Sequence, residues 1–168
     1  MTVKEMVILI ESDMSNWGLV KGTFIDEFNN ADMEQKNDLV KEEPEFRLEL
    51  PYFVMPFIAS MVHKFCTDNE IEKPDWVWKS KYFCQKPYFP KEAKGNLKTW
   101  LLLYSPPQFK YRNLYVDPDS LILDRVLYDK GIVKLKGRKW SLTDDDCYNF
   151  MFSYQPVEIE EDGTVHFH

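Results

Sequence analysis

Five prolines (Pro74, Pro87, Pro90, Pro106 and Pro107) fall between residues 74 and 116. Each fixes φ, lacks an amide proton and biases its predecessor away from the α region. No long helix fits that stretch, so it must fold as short helical and extended pieces. The same stretch is rich in rings, with Trp76, Trp78, Tyr82, Phe83, Tyr88, Phe89, Trp100, Tyr104, Phe109, Tyr111 and Tyr115 interleaved with lysines.

The run before it, free of proline from Phe57 to Lys73, therefore has to supply the central helix. Ile58, Met61, Val62 and Phe65 follow the i, i+3, i+4, i+7 rule and predict one buried stripe. Pro56 is tolerated only in a first turn, which places the start near Phe53. Thr67-Asp68-Asn69 and Pro74 end the helix. Upstream, Val3, Met6, Val7, Leu9 and Ile10 have helical spacing over residues 3–13. Ser15 or Asn16 can cap a second helix from Trp17 through Phe28, and Asn30 opens a short acidic one through Met33 and Leu39. These three read as a helical arm with a polar outer face.

Downstream, Pro74 suits the first position of a short helix carrying Trp76 and Val77. Lys86 to Pro90 must be extended. A helix through Leu97, Trp100, Leu101 and Tyr104 should pack Trp100 and Tyr104 on the 53–68 helix. Ser105 then caps, with Pro106 first, a short helix holding Phe109. A brief strand at Asn113–Val116 precedes a helix from Asp117-Pro118 to Gly131.

The remainder is β-rich. A type II′ turn at Gly137-Arg138 pairs Leu135 with Trp140 and Val133 with Leu142. Thr143 begins a helix through Met151, and a three-residue loop at Glu161–Gly163 sets Val157 opposite Phe167. The fold class is α+β, mainly α: a helical domain at 1–129 and a hairpin, helix and hairpin appendage at 130–168.

Charge is laid out unevenly. The 168-residue chain carries −7, with −7 in residues 1–50, −2 in 51–72, +7 in 73–113 and −5 in 114–168. The proline-cut stretch is thus a basic island in an acidic protein. No apolar run reaches the roughly 18–20 residues of a membrane span. No basic flank with an apolar core marks a signal peptide, and Cys66, Cys84 and Cys147 are too few for a disulfide framework. A cytoplasmic setting is expected.

Catalytic chemistry finds little support. His63 and Cys66 lie three apart, but no CxxC or HxxxH pair supplies further ligands, and His63 falls at the polar boundary of its helix, reaching solvent. His166 and His168 are the other histidines, and no GxSxG, Walker loop or GxGxxG occurs. Asp144-Asp145-Asp146 beside Thr143 reads as a helix N-terminus. No enzyme activity, metal or cofactor is expected.

Two binding surfaces remain. Lysines among rings can track a phosphate backbone or meet an acidic partner, making Lys79, Lys81, Lys86, Tyr88, Lys110, Tyr111 and Arg112 the candidate contact surface. The bland alternative is that the rings are core and the lysines solvate its edge. The order of helices from residue 97 to 129 followed by a hairpin also fits a winged helix, with Lys134, Lys136, Arg138 and Lys139 as the wing. Its recognition helix would carry Asp119, Asp124 and Asp129 against Arg125, a charge that a DNA groove repels.

Residues 55–126 carry Ala59, His63, Pro74-Asp75-Trp76, Lys86-Pro87-Tyr88-Phe89, Leu101-Leu102, Ser105-Pro106-Pro107-Gln108-Phe109-Lys110-Tyr111-Arg112-Asn113, Val116-Asp117, Leu121 and Arg125-Val126. This spacing resembles a small helical bacterial domain whose members are largely uncharacterised. Some of its relatives carry a helix-turn-helix, and some resemble toxin–antitoxin or mobile-element accessory proteins. The resemblance implies a bacterial, intracellular, protein-binding role with no catalytic motif. The expected function is a non-enzymatic interaction module, antitoxin-like or accessory, with a protein partner; the alternative is a winged-helix-like nucleic-acid-binding module.

Overall fold

The computed structural model describes residues 1–90 and 93–121, with side chains omitted at 119–120, and the backbone of four three-residue strands beyond them. The described domain is mainly helical. Helix α1 (Val3–Ser12) starts from a capping box in which Thr2 accepts from the Glu5 amide and Glu5 returns to the Thr2 amide. A 3₁₀ turn (Met14–Asn16), capped by Asp13, leads into α2 (Trp17–Asn30). Asn16 makes no side-chain capping bond, because Asp13 already accepts from the Ser15 amide. Helix α3 (Met33–Val40) is opened by Asp32, not Asn30: Asp32 reaches the Gln35 amide at 2.8 Å, and Gln35 reaches back.

Helix α4 (Val54–Asp68) follows, with Pro56 in its first turn as its ring demands. Nine consecutive residues, Val54 through Val62, are buried, so its N-terminal half is covered on every side rather than along one stripe. The buried Ser60 hydroxyl is satisfied by the Pro56 carbonyl at 2.8 Å. Phe24 and Phe28 of α2 stack on Phe65, with centroids 6.5 and 5.0 Å away, and Trp17 meets Phe57 edge-on at 5.2 Å. The expected N-terminal arm is therefore not an arm. Val3, Met6, Val7 and Ile10 of α1 belong to the same continuous core as α4.

Beyond α4 the chain shortens its elements where the prolines require it. Pro74 is the cap of a 3₁₀ helix (Asp75–Trp78), one residue earlier than expected, and a second 3₁₀ turn spans Ser80–Tyr82. Trp76 donates its indole N–H to the Val40 carbonyl at 3.0 Å, fastening this segment to the end of α3. The extended Tyr88 forms a parallel bridge to Leu114, bonding both Asn113 and Tyr115; it replaces the expected strand at 113–116.

Helix α5 (Asn96–Tyr104) and α6 (Pro107–Lys110) complete the domain. Ser105 does not cap α6: its hydroxyl donates back to the Leu101 carbonyl at 2.6 Å and accepts from the Val116 amide at 2.9 Å, leaving Pro106 at the cap. Trp100 does not pack on α4 either. With Leu101 it forms a separate small cluster against Phe89, Leu97 and Tyr115, while Tyr104 is exposed. The stacked Phe89–Tyr115 pair, 4.8 Å apart, offers that helix a nearer apolar surface.

After a 3₁₀ turn at Pro118–Leu121, the description is confined to β1 (Lys134–Lys136) paired antiparallel with β2 (Lys139–Ser141), and β3 (Val157–Ile159) with β4 (Val165–Phe167). Leu135 stands opposite Trp140, and Val157 opposite Phe167. The expected helices to Gly131 and after Thr143, and the turns at Gly137-Arg138 and Glu161–Gly163, lie outside the described residues.

Burial of α4 sets the stability. Ile58→Ala should lower the unfolding free energy by about 2–5 kcal/mol, while Leu103→Ala on the exposed face of α5 should change it by less than about 0.5 kcal/mol. Urea unfolding of the two variants would check this contrast.

Candidate functional site

The basic island resolves into two kinds of residue. Lys79 and Lys81 both pair with Glu43, Lys81 at 2.7 Å, and the Tyr82 hydroxyl donates to the same carboxylate at 3.2 Å. These bonds, Lys79 first and Lys81 next, hold the Glu43 carboxyl down to about 2. Lys86 lies over the Tyr52 ring, 4.5 Å from its centroid, and Tyr88 stacks on Phe53 at 4.1 Å. Lys110 closes the C-terminal end of α5 by donating to the Leu103 carbonyl at 2.6 Å. The described lysines of the candidate surface are therefore each engaged within the chain, which favours the bland reading of them.

Arg112 is the sharpest departure. Expected at the contact surface, it is 0% exposed. Its Nη2 donates to the Val77 carbonyl at 2.8 Å, and its Nη1 to the Gln108 carbonyl and to His63 Nδ1, each at 3.0 Å. It makes no ion pair among the described residues, and burial lowers its pKa to about 10, leaving it charged at neutral pH. Arg112 Nε and Gln108 Oε1 are buried without a hydrogen-bond partner among the described residues. In place of a carboxylate, three rings surround the guanidinium: Phe83 at 5.2 Å, Trp78 and Tyr111 at 5.8 Å.

Those rings reach the surface. Trp78 is 46% and Tyr111 60% exposed, and they meet edge to face at 6.1 Å, with Phe83 against Tyr111 at 5.1 Å. His63 completes the cluster, its ring edge-on to Trp78 at 4.7 Å. The sequence places His63 at a solvent-reaching boundary; the fold makes it half-buried and bonded to the arginine. Arginine only donates, so Nδ1 must accept and the ring proton sits on Nε2. Burial, then Arg112 and Lys73, lower its pKa to about 4.

Sequence reasoning finds Tyr111 but misses Trp78 as its neighbour and His63 as the neighbour of Trp78. The signal was the Gln108–Asn113 stretch: α6 ends at Lys110, Asn113 just beyond it has a φ of 64°, and Arg112 lies buried in the turn between them. Among the described residues no group of three His, Cys, Asp or Glu could hold a metal ion. Cys66 and Cys84 are buried thiols whose pKa burial raises to about 11, which keeps them unreactive. An open groove of about 810 Å³ between α3 and the Glu70–Trp76 segment includes Glu43, but an ion-paired carboxylate held near 2 is no general acid at neutral pH. Lys134, Lys136 and Lys139 lie in β1 and β2, with Lys136 opposite Lys139, and Arg138 lies outside the described residues.

Comparison with protein-family models, curated proteins and solved structures found no match. No helix among the described residues is long and apolar enough to cross a membrane.

The depressed pKa of His63 makes stability pH-dependent with a definite sign. Between 6.5 and about 4 the unfolded chain binds a proton that the folded chain does not, so stability falls as pH falls through that window. The Glu43 contribution is lost lower, from 4.5 toward 2. His63→Gln, which still offers Arg112 an acceptor, should flatten the urea midpoint between pH 6.5 and 4.5 and leave the steeper acid decline in place.

Proposed function

We propose that this chain is a non-enzymatic protein-interaction module whose contact surface is the Trp78–Tyr111 aromatic pair. One observation carries the reading: two large rings are exposed, yet each is fixed in place by its neighbours and by a buried guanidinium beneath. Tryptophan, tyrosine and arginine dominate interface hot spots, and rings already held in position lose little entropy on binding. The lysines that suggested a phosphate-tracking surface are engaged within the chain, which weighs against that use of the island.

The resemblance adds the setting: an antitoxin-like or mobile-element accessory role in a bacterial cytoplasm, with the segment after residue 130 as a β-rich appendage to the helical domain. A second reading, nucleic-acid binding through a wing, is favoured by one observation: the β1–β2 register sets Lys136 opposite Lys139, with Lys134 on the same strand. Like charges directly opposite are unfavourable unless an anion offsets them.

Trp78→Ala with Tyr111→Ala opens the aromatic roof over Arg112 and should lower the thermal melt of the chain while leaving it folded. In native pull-downs from the source cell it should weaken retention of a stoichiometric partner by about thirtyfold or more, the size of a hot-spot loss. A monomer without such a partner, or a partner indifferent to both substitutions, would overturn the reading. Binding to duplex DNA that falls linearly with log salt and is lost when Lys134, Lys136 and Lys139 are neutralised would favour the wing instead.

A further inference from the structure

We infer that the surface formed by His63, Trp78 and Tyr111 contains a carboxylate subsite, filled by a glutamate or aspartate of a partner protein segment with apolar neighbours. This deepens the proposed interaction role and rests on it. Three observations meet at one place. The first is an unbalanced charge: Arg112 is wholly buried, donates to neutral acceptors alone, and has no acidic partner among the described residues. A buried cation normally has a counterion, because the interior does not screen it.

The second is a directed donor. Arg112 fixes His63 with its proton on Nε2, the nitrogen away from the guanidinium. That N–H has no acceptor among the described residues, and a cation bonded to the opposite ring nitrogen polarises it. It is a donor built for an anion, and Lys73 adds a second positive charge close enough to act on the same ring. The third is the flanking surface. Trp78 packs against His63 and Tyr111 packs against Trp78, so an acceptor reaching His63 lies beside exposed aromatic area that apolar side chains can cover. A cationic ligand is disfavoured here. The outward faces of rings that already face a guanidinium have less negative charge to offer, and the summed local field is positive.

The site recognises the carboxylate without a direct contact to Arg112. The arginine stays buried, and its charge acts through the imidazole it orients and through the thin aromatic roof. The binding group is therefore His63, with Trp78 and Tyr111 as the apolar clamp and Arg112 as the positioning residue.

The test uses the full chain and two blocked tripeptides, Phe-Glu-Leu and Phe-Gln-Leu, identical in shape and differing in charge. Titration is followed by the ¹⁵N and ¹H signals of the His63 imidazole and the indole N–H of Trp78. The glutamate peptide should shift both and bind about tenfold or more tightly than the glutamine peptide, as expected for a charge-assisted bond over a neutral one. Trp78→Ala, a surface substitution, should weaken both peptides, while His63→Phe should abolish the preference between them. If His63→Phe fails to fold, the glutamate-to-glutamine ratio on the unaltered chain decides alone. Equal affinities, or no shift at His63 with millimolar glutamate peptide, overturn the carboxylate subsite and leave the partner experiment standing. Retained discrimination in a chain whose cellular partner ignores Trp78 and Tyr111 would instead overturn the docking role and keep the subsite.

Discussion

Complete burial of the first half of α4 is the constraint on which the remaining structure depends. A helix with Val54, Met55, Phe57, Ile58, Ala59, Met61 and Val62 all inside the core must be covered on every side. No single partner helix can do that. α2 covers one side through Trp17, Phe24 and Phe28, with α1 packed against α2, while α6 closes another by setting Phe109 against Phe57 at 5.0 Å. The short 3₁₀ pieces after Pro74 fill the space left with Trp76, Val77 and Tyr82. The proline-cut stretch is thus the remainder of the wrapping around one post.

Long-range polar ties fix that wrapping. The Trp76 indole bonds the Val40 carbonyl 36 residues away, and Glu43 gathers Lys79, Lys81 and Tyr82. An acidic N-terminal third and a basic middle therefore meet in one molecule, and part of the charge asymmetry is consumed in holding the chain together. Exposed ion pairs contribute little each. Their shared carboxylate matters more as a geometric anchor for the 79–82 segment than as a source of stability.

Arg112 is first of all a structural group. Its hydrogen bonds to Val77 and Gln108 join the Asp75–Trp78 3₁₀ helix to α6, a structural task. Doing it without a carboxylate leaves a positive charge below an exposed aromatic surface and fixes the proton of His63 on Nε2. The same burial that fastens the local fold is what the proposed anion preference of the surface above it would rest on.

The sequence by itself determined where α1, α2, α4 and α5 lie, because periodicity and proline sterics are local, while the caps of α3 and α6 fell on Asp32 and Pro106 instead of Asn30 and Ser105. Periodicity placed α1, α2, α4 and α5 within a few residues, and Pro56, Pro74 and Pro106 marked boundaries through sterics alone. It could not determine what each side chain meets. Lys79 finds Glu43 across 36 positions, and Arg112 finds His63 across 49. Whether an arginine beside Tyr111 faces water or the core depends on contacts at that separation, and no local rule encodes them. So Tyr111 was visible as a candidate, whereas Trp78 met it, and His63 met Trp78, only when the chain closed around α4. The surface residues were written in the sequence; their convergence over one buried charge was decided by the tertiary fold.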